Sequence, residues 1–89
     1  MQNTVPTRRL LLYTTPTCPD CLALKRWLAS QGIAFEERDL TDPRIAAEAK
    51  SRTGVRVAPI SVIGNEVFYG SFERQKPGLA RALGLTAGN

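Results

Sequence analysis

The sequence has no histidine, only two cysteines and no long apolar run, and each shortage removes a class of function. A structural zinc site draws about four ligands, mostly Cys and His. Cys18 and Cys21 supply half of such a set, and the rest would have to come from another subunit or a small thiol. The longest apolar run, Leu10 to Tyr13, falls far below the roughly 20 residues that cross a bilayer, so no membrane role is expected. Arg8 and Arg9 precede that run, but it stops at Thr14 and lacks the length of a secretory signal core. A cytoplasmic location is the expectation. Internal repeats and low-complexity tracts are also missing.

What is present fits one small globular unit. The 89 residues are 43% hydrophobic and 22% charged, ordinary values for a chain with a modest core and a proportionally large surface. Twelve Lys and Arg against eight Asp and Glu give a formal charge of +4. The cations are scattered among acidic neighbours, as Arg26, Arg44, Lys50, Arg52, Arg56, Arg74 and Arg81. They form no stripe of the kind that follows a phosphate backbone, so nucleic acid is not an expected partner. A mild preference for acidic proteins is.

Residues 1–7 are polar apart from Val5 and include Pro6, which predicts a flexible leader followed by a single domain over 8–89. The run ending in Thr-Thr-Pro after Tyr13 predicts a strand buried on both faces. From Pro19 the pattern turns helical, with Cys21, Leu24 and Leu28 on one face and Gly32 as the stop. Ile33 to Leu40, with its charged Glu36-Glu37-Arg38 centre, reads as an edge strand. Asp42-Pro43 is a helix start, and that helix is expected to reach about Arg52 and stop at Gly54. Ile60 to Ile63 and Glu66 to Tyr69, joined at Gly64-Asn65, predict a hairpin. A closing helix is expected within Phe72 to Leu83, with Pro77 in its first turn. The order β-α-β-α-β-β-α predicts an α/β fold, a parallel β-α-β unit and a hairpin sharing one four-stranded mixed sheet.

The cysteines stand two residues apart in TPTCPDCL. As a structural staple they would close a tiny loop and contribute little stability. As a redox pair they are well placed. Cys18 falls between a strand and the first turn of a helix, where free N–H groups and the helix dipole favour a thiolate. Cys21, one turn later on the same face, is placed to resolve a mixed disulfide on Cys18.

Three stretches carry a resemblance over most of the chain. LLLYTTPTCPDC looks like the opening strand and active site of glutaredoxins and their redoxin relatives; VAPI resembles their cis-proline landmark, at Pro59; GNEVFYGSFE resembles the hairpin and glycine-containing turn that follow. The resemblance implies a thioredoxin-like fold of the glutaredoxin type, with Cys18 as nucleophile and Cys21 as resolving thiol. It implies that Ala58 and Pro59 form a substrate platform, with the Ala58 backbone pairing to a bound thiol peptide. Pro19 fits at the helix start because its missing donor costs nothing there.

Departures from the family pattern bear on the reductant. Thr15 stands where many glutaredoxins have a Lys or Arg that holds a glutathione carboxylate. Gly70, Ser71, Phe72 and Glu73 match the usual double glycine and acid only in part, yet still offer backbone N–H groups to a carboxylate. Pro16 resembles redoxins that serve ribonucleotide reductase, and Thr15 resembles actinobacterial redoxins that use a different small thiol. Asp20 replaces a usual Tyr. As an exposed carboxylate beside Cys18 it is expected to oppose the thiolate by about 1 kcal/mol or less, making the pair less oxidising; a solvated charge at a helix start is the plainer alternative. Arg56 is a candidate guide for a carboxylate-bearing thiol, or an ordinary surface arginine. Tyr13 and Trp27 are expected to pack, and Phe72 to join the core.

The expected function is dithiol–disulfide oxidoreduction on protein or small disulfides, ribonucleotide reductase among the candidate partners, by a monomer with no bound cofactor. Glutathione, another low-molecular-weight thiol, or thioredoxin reductase with NADPH would restore the dithiol. The rival is an iron–sulfur cluster or metal carrier built on Cys18 and an external thiol.

Overall fold

The computed structural model describes residues 10–85; the leader expected at 1–7 lies outside them, as do Arg8 and Arg9. The chain forms β1 (Leu10–Thr14), α1 (Pro19–Ser30), β2 (Glu36–Asp39), α2 (Pro43–Thr53), β3 (Ile60–Ile63), β4 (Glu66–Tyr69) and α3 (Phe72–Ala82). The strands make one sheet in the order β2-β1-β3-β4. β1 runs parallel to β2 and antiparallel to β3, which pairs antiparallel with β4. This is the mixed four-stranded sheet anticipated from the element order.

Strand alternation divides the core in two. Leu10 and Leu12 of β1 and Ile63 of β3 pack against Leu24 and Leu28 of α1 and Leu79 of α3. Leu11, Tyr13, Ile60 and Val62 face the other way, onto Ala49 of α2. Helices α1 and α3 thus cover one face and α2 the other. That is why β1 is apolar at consecutive positions and buried throughout. Each fully buried leucine contributes about 2 kcal/mol of transfer free energy, so the first layer, with four leucines at or below 1% exposure besides Leu10 at 1%, anchors the helix that carries the cysteines.

Helix ends follow their local chemistry. Asp42 caps α2 by accepting from the Arg44 N–H at 2.9 Å, and Gly54 closes it in the left-handed conformation at φ 76°, as its Asp-Pro start and glycine stop predict. Two expectations fail. The second strand begins at Glu36, not Ile33, because pairing with β1 starts at Leu11 opposite Glu36; Ile33 instead closes α1, donating to the Leu28 carbonyl at 2.9 Å. Pro77 lies inside α3 rather than in its first turn. The helix starts at Phe72, capped by Ser71, so Pro77 is its sixth residue and leaves the Glu73 carbonyl without its helical donor.

Candidate active site

Strand register brings the site together. Tyr13 lies opposite Ile60, Ile60 opposite Tyr69, and Thr14 beside Asp39. The segment after β1, the Ala58–Pro59 segment before β3 and the Gly70–Ser71 turn after β4 therefore leave the sheet at the same end. Cys18, Pro59 and the start of α3 are gathered there by topology, although up to 52 residues separate their contacts in sequence.

Cys18 is the N-cap of α1, with extended backbone (φ −96°, ψ 112°), and Pro19 follows in the first turn. The Cys18 sulfur accepts a hydrogen bond from the Cys21 N–H at 3.1 Å. A cysteine thereby takes the place that Ser or Asp usually fills at a helix start. Both cysteines are free; Cys18 is half-buried and Cys21 buried. Burial pushes the Cys21 thiol up to about 12, helped by its hydrogen bond to Cys18, while a backbone hydrogen bond from Thr15 and the charge of Lys25 pull the other way. The two sulfurs are thus inequivalent: one is reachable, the other is protonated and sheltered behind it.

The Ala58–Pro59 peptide bond is cis, and Pro59 is fully buried. Its carbonyl accepts from the Gln75 side-chain amide at 2.8 Å. That amide also donates to the Gly70 carbonyl at 3.0 Å, while its oxygen accepts from the Ser61 hydroxyl at 2.7 Å. Gln75 is 2% exposed. It ties the proline segment, β3 and the turn after β4 to one point on α3. Sequence reasoning passed over it inside the polar stretch Glu73-Arg74-Gln75-Lys76. The available signal was its spacing, four residues before Leu79 on the same helical face.

Asp20 is half-buried and is held by a partner from another element. Its Oδ1 accepts from the Phe72 N–H, the first helical amide of α3, at 3.0 Å. Ser71 caps the same helix by accepting from the Arg74 N–H at 3.2 Å. Glu73 is an exposed first-turn acid, and Gly70 has a positive φ of 105° with the Arg74 side chain lying against it. Thr15 and Ala58 are half-buried, and Thr15 reaches Cys21 through its backbone. Arg56 is exposed and borders a hollow with Leu40, Lys50 and Val55 beside α2. Tyr13 is buried as expected and also donates to Glu48 at 2.6 Å. Trp27 and Phe72 pack at the edge of the first core layer and meet edge to face at 6.0 Å.

The glutaredoxin family model matches residues 10–68. The chain belongs to the glutaredoxin family. Among solved structures, this family member resembles a mutant of the thioredoxin-like protein BC3987 (28% identity, 84% of this chain and 99% of that one, TM-score 0.76). It resembles the glutaredoxin-like NrdH-redoxin of Escherichia coli (28%, 80% and 92%, TM-score 0.64). Glutaredoxin 1 from Archaeoglobus fulgidus shares the fold (20%, 86% and 87%, TM-score 0.73). No relative was found among curated proteins. Among the described residues of this glutaredoxin, no group of three or more Cys, Asp or Glu could hold a metal ion, and no helix is long and apolar enough to cross a membrane.

Proposed function

We propose that the protein is a dithiol–disulfide oxidoreductase with Cys18 as nucleophile and Cys21 as resolving thiol. The observation that carries this reading is the inequivalence of the pair: a half-exposed Cys18 sulfur at a helix N-terminus, receiving the Cys21 N–H at 3.1 Å, with Cys21 buried one turn behind it.

In this mechanism the Cys18 thiolate attacks one sulfur of a substrate disulfide and bonds to it, while the S–S bond breaks and the other substrate sulfur leaves as a thiolate and takes a proton from solvent. The mixed disulfide then lies over Cys21. Loss of the Cys21 proton lets that sulfur attack Cys18, forming the internal disulfide and releasing the second substrate thiol. The hydrogen bond from Thr15 and the charge of Lys25 ease this deprotonation. The Ala58 backbone, held by the buried Pro59 and Gln75, offers an extended edge to the incoming chain.

It acts as a monomer in the cytoplasm, where thiols stay reduced. Its substrates are protein or small disulfides, with ribonucleotide reductase a candidate on the resemblance around Pro16. An external donor, either a small thiol such as glutathione or thioredoxin reductase with NADPH, restores the dithiol. The 28% identical E. coli NrdH-redoxin is described as having a thioredoxin-like activity profile, which supports a reductase as donor. The decisive experiment compares the single-cysteine variants: Cys18→Ser loses disulfide reduction, and Cys21→Ser accumulates a mixed disulfide with its substrate. Full activity in Cys18→Ser overturns the reading.

A further inference from the structure

The carboxylate of Asp20 has a partner that the redox chemistry does not require. It sits two residues after Cys18, yet its Oδ1 accepts from the first helical amide of α3, Phe72 N–H, at 3.0 Å. A helix N-terminus attracts anions through its free N–H groups and its dipole. At α3 two of those groups are already met from inside the molecule: Asp20 takes the first amide, and the Ser71 hydroxyl takes the Arg74 amide at 3.2 Å. The Gln75 amide turns back to the Ser71 carbonyl at 3.0 Å.

We infer that Asp20 is a specificity-determining residue that selects against carboxylate-bearing disulfides, glutathione disulfide among them, in favour of neutral or cationic ones. This rests on the exchange reaction proposed above and names its substrate class. Two consequences of one bond act together. An incoming carboxylate near Cys18 finds the first amide of α3 taken, and it meets the carboxylate of a residue two positions from the reacting cysteine. The net charge of +4 favours anions over the molecule as a whole, so discrimination has to be local. The large hydrophobic residues exposed among the described ones are Leu22, Val57 and Tyr69; they adjoin Cys21, Ala58 and Gly70 in sequence. Exposed apolar side chains adjoining these positions in sequence suit the surface of a protein substrate better than a multiply charged small thiol.

The test uses the full chain, pre-reduced, and follows its oxidation in a single turnover by glutathione disulfide, by cystamine and by neutral 2-hydroxyethyl disulfide. Each reaction converts the protein dithiol and one disulfide into the protein disulfide and two thiols. The readout is the ratio of second-order rate constants, glutathione disulfide over cystamine, which cancels any general change in Cys18 reactivity. Asp20→Asn keeps an oxygen acceptor for Phe72 and removes the charge; Asp20→Ala vacates the position. The ratio is expected to rise about fivefold in Asp20→Asn and further in Asp20→Ala at low salt, with the gain shrinking as salt is raised. A ratio that stays within about twofold of the wild-type value in Asp20→Asn, or that falls, overturns the inference while leaving the exchange reaction intact. Wild-type protein that reacts with none of the three disulfides overturns the proposed function itself, and this inference with it.

Discussion

Gln75 holds Pro59: the side-chain amide of one donates to the carbonyl of the other at 2.8 Å, inside a site where Gln75 is 2% exposed. Replacing Gln75 by Leu keeps the volume and strands three polar groups, the Pro59 and Gly70 carbonyls and the Ser61 hydroxyl. The expected cost is about 3 kcal/mol in urea unfolding, together with slower disulfide exchange as the proline segment loses its anchor. Gln75→Glu keeps the acceptor for Ser61 and removes both donors, so it should also destabilise. A neutral outcome for both variants would mean the three hydrogen bonds hold nothing.

Alkylation should separate the two thiols. With the Cys21 thiol raised to about 12 by burial and by its bond to Cys18, iodoacetamide at neutral pH should label the reduced protein once, at Cys18. Mass spectrometry of tryptic peptides reads the site, and equal labelling of both cysteines would contradict the geometry.

Glu37 ties β2 to α1 near the cysteines, accepting from Lys25 at 2.8 Å and from the Thr14 hydroxyl at 2.6 Å. These bonds, Lys25 first and Thr14 second, hold its carboxyl below the ordinary glutamate value of 4.5. A carboxylate with a lowered folded value binds fewer protons than it does in the unfolded chain, so its contribution is complete above 4.5 and disappears as pH falls through the folded value. The pair is about a third exposed, so Glu37→Gln should cost no more than about 1 kcal/mol at neutral pH. The difference from wild type should close in acid, as followed by thermal unfolding at stepped pH.

Tyr13 carries the opposite sign. Burial, then its bond to Glu48, raises its hydroxyl from 10.0 to about 12. Its stabilisation is complete below 10.0 and lost as pH climbs through about 12. Tyr13→Phe should lose about 1 kcal/mol at neutral pH and show a shallower alkaline decline.

Helix propensity alone says that Gly78→Ala stabilises α3, by about 1 kcal/mol. The fold says otherwise, because a Cβ on Gly78 would stand 2.8 Å from Cε1 of Phe68. Net destabilisation is expected, and a raised melting temperature would refute the close packing of α3 on β4.

Much of the fold was legible where local pattern and local chemistry agree. The apolar run of β1, the Asp42-Pro43 start and Gly54 stop of α2, and the Gly64-Asn65 turn all do their work within a few residues. The cysteines were legible for the same reason: Cys18 and Cys21 meet across one helical turn. What the sequence hid were relations made by the sheet register. Asp20 and Phe72 are 52 positions apart, and nothing near either residue announces the other. Gln75 gave no sign because its partners, Pro59, Ser61 and Gly70, become its neighbours only when β3 and β4 are paired. Pro77 misled because proline marks helix starts more often than interiors, while the start of α3 was decided by Ser71 and Asp20 satisfying its first amides.

The cysteine pair and Pro59 lie at one end of the sheet, and the finish of α3 lies at the other. There Gly32, Ile33, Phe68, Ala82 and Leu83 border a hollow of about 850 Å³, beside the finish of α3. A support or fluorophore attached at the last turn of that helix would leave the cysteine pair facing open solution. Handles for immobilised electrodes or sensors therefore belong beside the finish of α3, at the opposite end of the sheet from the cysteine pair.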